Sequence, residues 1–366
     1  MYFSNVYKDK KVLVTGHTGF KGAWLTEWLI SLGAEITGFS RDIPTNPSLF
    51  ETLELKDRIS HKDGDVQDLE ILKDAISSFK PDFIFHLAAQ AIVSTSYKDP
   101  LDTFKTNTIG TMNLLEVLRH IDHACKVVLI TSDKAYDNVE WEWGYKETDT
   151  LGGKDIYSGS KGAAELVIKS YFHSFIEKMP HVKIAIARAG NVIGGGDWAK
   201  DRIIVDCVKS WSEEKKVAIR SPSATRPWQH VLEPLSGYLC LGESLQKGKK
   251  INGQAFNFGP QPEQNRTVLN LIKDLSLRWG FSKPEDAISI SEDSVFEEAG
   301  LLKLNIDKAL FKLEWEPNLI YEETIHYVSD WYHDYYKLNK NMHEKTLQQI
   351  EDYQCKAKTR KRTWTS

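Results

Sequence analysis

Apolar positions along the chain fall into two alternating patterns. Short continuous runs read as strands buried on both faces, and runs spaced three and four residues apart read as helices with one buried side. The first pattern predicts strands at Lys11–Thr15, Glu35–Phe39, Asp82–Leu87, Lys126–Thr131 and Lys183–Ala187, with a shorter one ending at Asp65. The second places Phe104, Met112, Leu115 and Leu118 on one face of Leu101–Arg119, and Ala163, Leu166, Val167 and Phe172 on one face of Gly159–Ser174. Strand and helix in alternation predict an α/β fold, a doubly wound parallel sheet of the Rossmann type. After Arg188 the rhythm loosens, with Gly194-Gly195-Gly196 and prolines at Pro222, Pro227, Pro234, Pro260 and Pro262. The chain is therefore expected to form a first domain over 1–190, rejoined by 230–260 through a strand at Ala255–Phe258. A smaller α/β lobe is expected from 191–229 and 261–340, and a solvated, mobile tail from 341–366.

Composition narrows the class. A chain of 366 residues with 41% hydrophobic content can bury a large core, and a formal net charge of -4 argues against a general nucleic-acid binder. Lys356, Lys358, Arg360, Lys361 and Arg362 form a local basic exception in the tail. The four cysteines lack paired metal-ligand spacing, and no secretory or membrane-length apolar run occurs, so a reduced, cytoplasmic, metal-free protein is expected.

The first predicted strand runs into Thr15-Gly16-His17-Thr18-Gly19-Phe20-Lys21-Gly22 and then a helix. Gly16 permits the sharp turn, Gly19 lets backbone N–H groups approach a pyrophosphate at the positive helix end, and Gly22 allows helix and strand to pack closely. This is a dinucleotide site, lined by His17 and Phe20. His17 is bulky for its position and is expected to lie beside the pyrophosphate, where it weakens cofactor retention or adds a hydrogen bond. Ser40 and Arg41 follow the second strand. Asp42 is spaced to bind a ribose diol, whereas Arg41 could accept a 2′-phosphate; NAD is the expected cofactor.

Tyr157 and Lys161 are four residues apart, on one helix face. An ammonium beside a phenol, whose ordinary pKa is about 10, favours the phenolate and makes a base. Ser132, after the strand ending at Thr131, can hydrogen-bond the same substrate oxygen. With these three features in order, the chain resembles the extended short-chain dehydrogenase/reductase family over most of residues 10–335. The resemblance implies cofactor contacts at Asp65, Val66, Leu87, Ala88, Ala89, Asn107, Tyr157 and Lys161.

Asp133 and Lys134 follow Ser132 directly. Within the family, an acidic residue there protonates a departing C6 hydroxyl in nucleotide-sugar 4,6-dehydratases while its neighbour removes the C5 proton. Asp-Lys resembles the CDP-glucose 4,6-dehydratase branch, with CDP-glucose as substrate. Lysine is ordinarily cationic, so this role asks for desolvation or nearby positive charge; alternatively Lys134 only orients Asp133 or the sugar. Catalysis is thus expected from Ser132, Asp133, Lys134, Tyr157 and Lys161. Asn191, Arg202, Arg220 and Arg226 are expected to anchor the substrate, Arg226 on its match to the family's Arg-x-x-x-x-Val segment. Trp141 and Trp143 interrupt the loop before Tyr157 and either shield the sugar from water or pack within the loop. By analogy the helices at Leu101–Arg119 and Ser158–Ser174 form a homodimer interface, with a homotetramer left open. A nucleotide-sugar 4-epimerase is the nearer rival, a non-enzymatic dinucleotide sensor the more distant one.

Overall fold

The computed structural model describes residues 1–219, 221–261, 264–290 and 301–366. In chain order the strands are β1 (Lys11–Thr15), β2 (Glu35–Ser40), β3 (Ser60–Asp63), β4 (Phe83–His86), β5 (Cys125–Ile130), β6 (Val182–Ala189), β7 (Val192–Ile193), β8 (Val217–Ile219), β9 (Thr225–Pro227), β10 (Gln229–His230), β11 (Gln254–Phe258), β12 (Asn265–Thr267) and β13 (Ile288–Ile290). Seven of them form one parallel sheet in the order β11-β6-β5-β4-β1-β2-β3. The order reverses between β1 and β4, which opens a crevice at the carboxyl ends of the strands. The other strands make small pairs, β7 with β10, β8 with β13 and β9 with β12.

The helices are α1 (Phe20–Ser31), α2 (Leu49–Thr52), α3 (Leu69–Phe79), α4 (Val93–Lys98), α5 (Pro100–Phe104), α6 (Gly110–Leu118), α7 (Ile156–Ser174), α8 (Ile203–Ser212), α9 (Leu232–Gln246), α10 (Val268–Trp279), α11 (Asp307–Leu313), α12 (Tyr321–Lys337) and α13 (Met342–Thr359). Alternate strand residues feed two cores. Val12, Val14, Phe83, Phe85 and Val128 pack with Trp24 and Trp28 of α1 and with α9, while Leu13, Ile84, Val127 and Leu129 pack with α3, α6 and α7. Burial on both faces explains the unbroken apolar runs.

Local signals set several boundaries. Asp155 caps α7 by accepting from the Ser158 N–H at 3.0 Å, and Asp68 caps α3 through the Glu70 and Ile71 N–H groups. The helix expected over Leu101–Arg119 is present but not uniform, since Lys105–Ile109 forms a π-helical turn between α5 and α6.

The C-terminal expectation is overturned. Residues 342–359 form α13, whose Ile350, Tyr353 and Ala357 are buried, and Trp364 beyond it is 2% exposed. Trp364 stacks on Phe3 at 4.8 Å between centroids, and Arg360 and Lys356 both bind Glu323. Two of the basic residues thus hold the segment to α12, and three apolar positions at helical spacing bury its inner face. Among the described residues no helix is long and apolar enough to cross a membrane.

Candidate active site

The crevice is walled on one side by the loop between β1 and α1. Gly16 has φ of 76° and donates its N–H to the Phe39 carbonyl at 2.8 Å; a Cβ there would lie 2.7 Å from the Ala88 nitrogen. A Cβ on Gly22 would meet the Gly16 carbonyl at 2.1 Å. Gly19 precedes α1 without any side chain capping the first N–H groups, and no acidic residue occupies the first turn. An uncapped helix end behind a glycine turn fits a pyrophosphate. Leu87 and Ala88 border it, their N–H groups held by the Thr15 carbonyl and hydroxyl at 3.0 and 3.2 Å, with Ala89 next in the chain.

His17 departs from its expected place. Its ring is fully buried, turned under the loop with Nδ1 3.0 Å from Ser40 Oγ and Nε2 2.8 Å from His61 Nδ1. Gly38 makes the room, because a Cβ there would sit 2.3 Å from the imidazole. Burial, reinforced by His61, lowers the His17 pKa to about 4, so the ring is neutral. Ser40 is correspondingly engaged with the loop. Arg41 is shared among Asp42, Asp65 and Asp102 at 3.3, 3.4 and 3.3 Å. Asp65 also accepts the Gln67 N–H, and Val66 is buried with its carbonyl on Asn113. The Asn107 amide lies in the π turn, 1% exposed, and bonds the Gln90 backbone and Ser160 Oγ, which ties the loop after β4 to α7.

Across the crevice, β5 ends at Ser132, Asp133 and Lys134. Ser132 Oγ donates to Asp133 Oδ1 at 3.0 Å and accepts the Lys134 N–H at 3.2 Å. Asp133 is 7% exposed, and burial pushes its carboxyl above the usual range. Burial likewise raises Tyr157, while the Ser132 hydroxyl pulls it down, Asp133 raises it and Arg202 lowers it. Burial and the neighbouring Lys21 charge lower Lys161 to about 8. Lys134 Nζ stands 6.0 Å from the Tyr157 ring centroid.

Arg202 stands at the N-cap position of α8 without a side-chain capping bond, and its buried Nε has no protein partner among the described residues. Arg226 lies on β9, opposite Arg266 of β12, and donates to the Thr225 carbonyl. Asn191 follows β6, half-buried. Arg220 lies outside the described residues. Trp141 packs on Tyr145 at 5.1 Å, whereas Trp143 is 75% exposed. Two charged residues escaped the sequence pattern: Lys21, whose amine burial lowers to about 8 against the opposing pull of Asp133, and Asp197, buried near Arg202 and Lys21. Lys21 stands inside the glycine motif, a position where a cation could have drawn attention. The loop carrying Asp197 is clamped: Trp24 of α1 donates to the Gly195 carbonyl at 2.9 Å, and a Cβ on Gly195 would strike Trp331 of α12 at 2.0 Å. Among the described residues no group of three or more His, Cys, Asp or Glu side chains is arranged to hold a metal ion.

Sheet order, glycine turn and the Ser-Tyr-Lys set define a Rossmann-type member of the short-chain dehydrogenase/reductase group. More narrowly, residues 13–328 match the GDP-mannose 4,6 dehydratase family, and the chain belongs to it. It is 43% identical to the CDP-glucose 4,6-dehydratase of Salmonella typhimurium, over 96% of this chain and 98% of that protein. The dTDP-glucose 4,6-dehydratase of Haemophilus influenzae is 25% identical over 88% and 97% of the two chains. Among solved structures, a dTDP-glucose 4,6-dehydratase from Streptomyces venezuelae with NAD bound has a TM-score of 0.75 at 19% identity, covering 90% of this chain and 100% of that one. A UDP-glucuronic acid 4-epimerase from Bacillus cereus, in complex with UDP-glucuronic acid and NAD, has a TM-score of 0.74 at 24% identity, covering 89% and 99%.

Proposed function

We propose that this chain is an NAD-dependent CDP-glucose 4,6-dehydratase, a hydro-lyase converting CDP-glucose to its 4-keto-6-deoxy derivative and water. The observation that carries the reading is the buried, Ser132-bonded Asp133 carboxyl beside Tyr157, with Lys134 over the same ring. An epimerase needs the tyrosine but not a second acid and base. Preference for the cytidine nucleotide rests on the 43% identity with a CDP-glucose 4,6-dehydratase along nearly the whole chain.

NAD would be held by the Gly16–Gly22 turn, the ends of β2 and β4, and Lys161; when bound it supplies a hydride acceptor at C4 and a donor at C6. Tyr157 takes the C4 hydroxyl proton, with Ser132 Oγ orienting that oxygen. The resulting ketone acidifies the C5 hydrogen. Lys134 removes that proton, Asp133, whose burial favours the protonated carboxyl, delivers its own proton to the C6 oxygen as water leaves, and Lys134 returns a proton to C5 as C6 is reduced. Arg202 and Arg226 serve the diphosphate, and Asn191 the sugar side. Residues 1–190 with 230–260 form the cofactor half, and 191–229 with 261–340 the substrate half.

Leu101, Phe104 and Ile109 together with Leu166 of α7 are 63%, 37%, 39% and 56% exposed, which supports a homodimer built on these helices. The four cysteines are free thiols, in keeping with a cytoplasmic enzyme of deoxysugar biosynthesis. The test is mass spectrometry of purified protein with NAD and CDP-, dTDP-, GDP- and UDP-glucose in parallel. Loss of one water from CDP-glucose alone is expected; an unchanged mass with a C4 stereoisomer would make the protein an epimerase.

A further inference from the structure

Asp133 and Lys134 share one tight turn, Asp133–Ala135, while Tyr157 and Lys161 ride on α7. The near end of the turn is fixed by Ser132. Its far end is fixed by Tyr136, whose ring is 1% exposed. The Tyr136 hydroxyl accepts from Arg188 Nη1 at 2.7 Å and donates to Asn257 Oδ1 at 2.8 Å, and the guanidinium lies over the ring at 4.7 Å. Arg188 is itself held by Glu165 of α7, which also accepts from Thr131 Oγ1 at 2.7 Å. Asn257 is fixed from the other side, its amide donating to the Tyr145 carbonyl at 2.8 Å and its backbone N–H to Glu147 Oε1 at 2.8 Å. The hydroxyl therefore pins the turn between β6, β11 and the loop that carries Tyr145 and Glu147.

We propose that Tyr136 is a positioning residue for the elimination half of the reaction: through its Arg188 and Asn257 bonds it sets the far end of the turn bearing the acid and base, while Tyr157 and Lys161 are mounted separately on α7 and Ser132 stands at the turn's near end, after β5. The proposal rests on the dehydratase reading above. A phenol removed from this point frees the turn to shift relative to α7 but leaves Tyr157 and Lys161 where they are. Oxidation then proceeds and water loss lags.

Tyr136→Phe keeps the ring and its stacking on Tyr145 at 5.1 Å and deletes only the hydroxyl. Single turnovers with NAD and CDP-glucose are followed by the near-ultraviolet absorbance of reduced nicotinamide and, in quenched samples, by water loss in the mass spectrum. The expected result is an oxidation rate near wild type, water loss slowed about tenfold or more, and reduced nicotinamide accumulating between the two. Cofactor affinity, read by titration, stays at the wild-type value. Asn257→Ala removes the acceptor on the other side and gives the same split should Tyr136→Phe prove insoluble. Tyr7→Phe deletes another buried hydroxyl, bonded to the Leu239 carbonyl and next to Phe83 at the start of β4; it is the control for general loosening and leaves both rates unchanged. Equal slowing of oxidation and water loss, or no slowing of either, overturns the proposal. Absence of water loss in the wild type strikes the dehydratase reading itself and is seen before any variant is compared.

Discussion

His17 and His61 face one another with Nε2 and Nδ1 2.8 Å apart, and both rings pack against Phe50 at 5.2 and 5.3 Å. A hydrogen bond between two imidazoles needs at least one neutral ring. Asp63 lies 3.1 Å from the far nitrogen of His61, and His17 is the more deeply buried ring of the pair.

Acid should therefore destabilise the fold through His17. Its pKa is about 4 in the folded chain against an ordinary 6.5, so the unfolded chain binds the proton more readily. The stabilisation is fully present above the ordinary value and is lost as pH falls from there toward the folded value, by on the order of 3 kcal/mol. Thermal unfolding at several pH values should show this loss, and His17→Asn should flatten part of it. Part will remain, because burial also lowers His86 and His230 to about 3.

Gly38→Ala should expel the His17 ring, since the new methyl would sit 2.3 Å from it. A cost of about 1–3 kcal/mol in stability and weaker cofactor binding are expected. His17→Ser in the same chain should restore both, a double-mutant cycle read by melting and by cofactor titration. Additive losses would mean that the two residues do not share the space.

NAD should bind much more tightly than NADP. Arg41 is already shared by Asp42, Asp65 and Asp102, and a 2′-phosphate would add charge beside three carboxylates. Titration with both cofactors checks the preference. Asp42→Ala with Asp102→Ala should narrow it.

Tyr157→Phe should lower turnover by about 10²–10⁴-fold while leaving cofactor affinity intact, because the hydroxyl that moves the proton is lost but the glycine turn is untouched. Initial rates of water loss and a cofactor titration separate the two effects.

Trp364→Ala should cost about 3–5 kcal/mol, since the indole is 2% exposed and stacked on Phe3 and Tyr353. Calorimetry of the two proteins measures it. A solvated tail would lose nothing.

The inner strands of the main sheet were legible because burial on both faces leaves an apolar run, whereas the edge strand β3, Ser60–Asp63, is polar and half-exposed. The glycine turn, the Ser132-Asp133-Lys134 run and the Tyr157–Lys161 pair were legible because each is local. What escaped is joined across long separations: Tyr136 with Arg188, His17 with His61, and Lys21 with Asp197 belong to different elements and carry no spacing rule. The strand pairs of the second half are two or three residues long, too short for periodicity to register. Segment 341–366 misled for another reason, as its lysines and arginines outweigh the few apolar positions that anchor it.

Gly195 sits between Trp24 and Trp331, so one strip of backbone is upholstered on one side by the cofactor helix and on the other by α12. Anyone transplanting the second half of the chain from a relative must carry this trio across as a set. A graft that brings a bulkier residue to position 195, or a different side chain to position 24, would jam the seam and tilt the first helix before any new sugar was met.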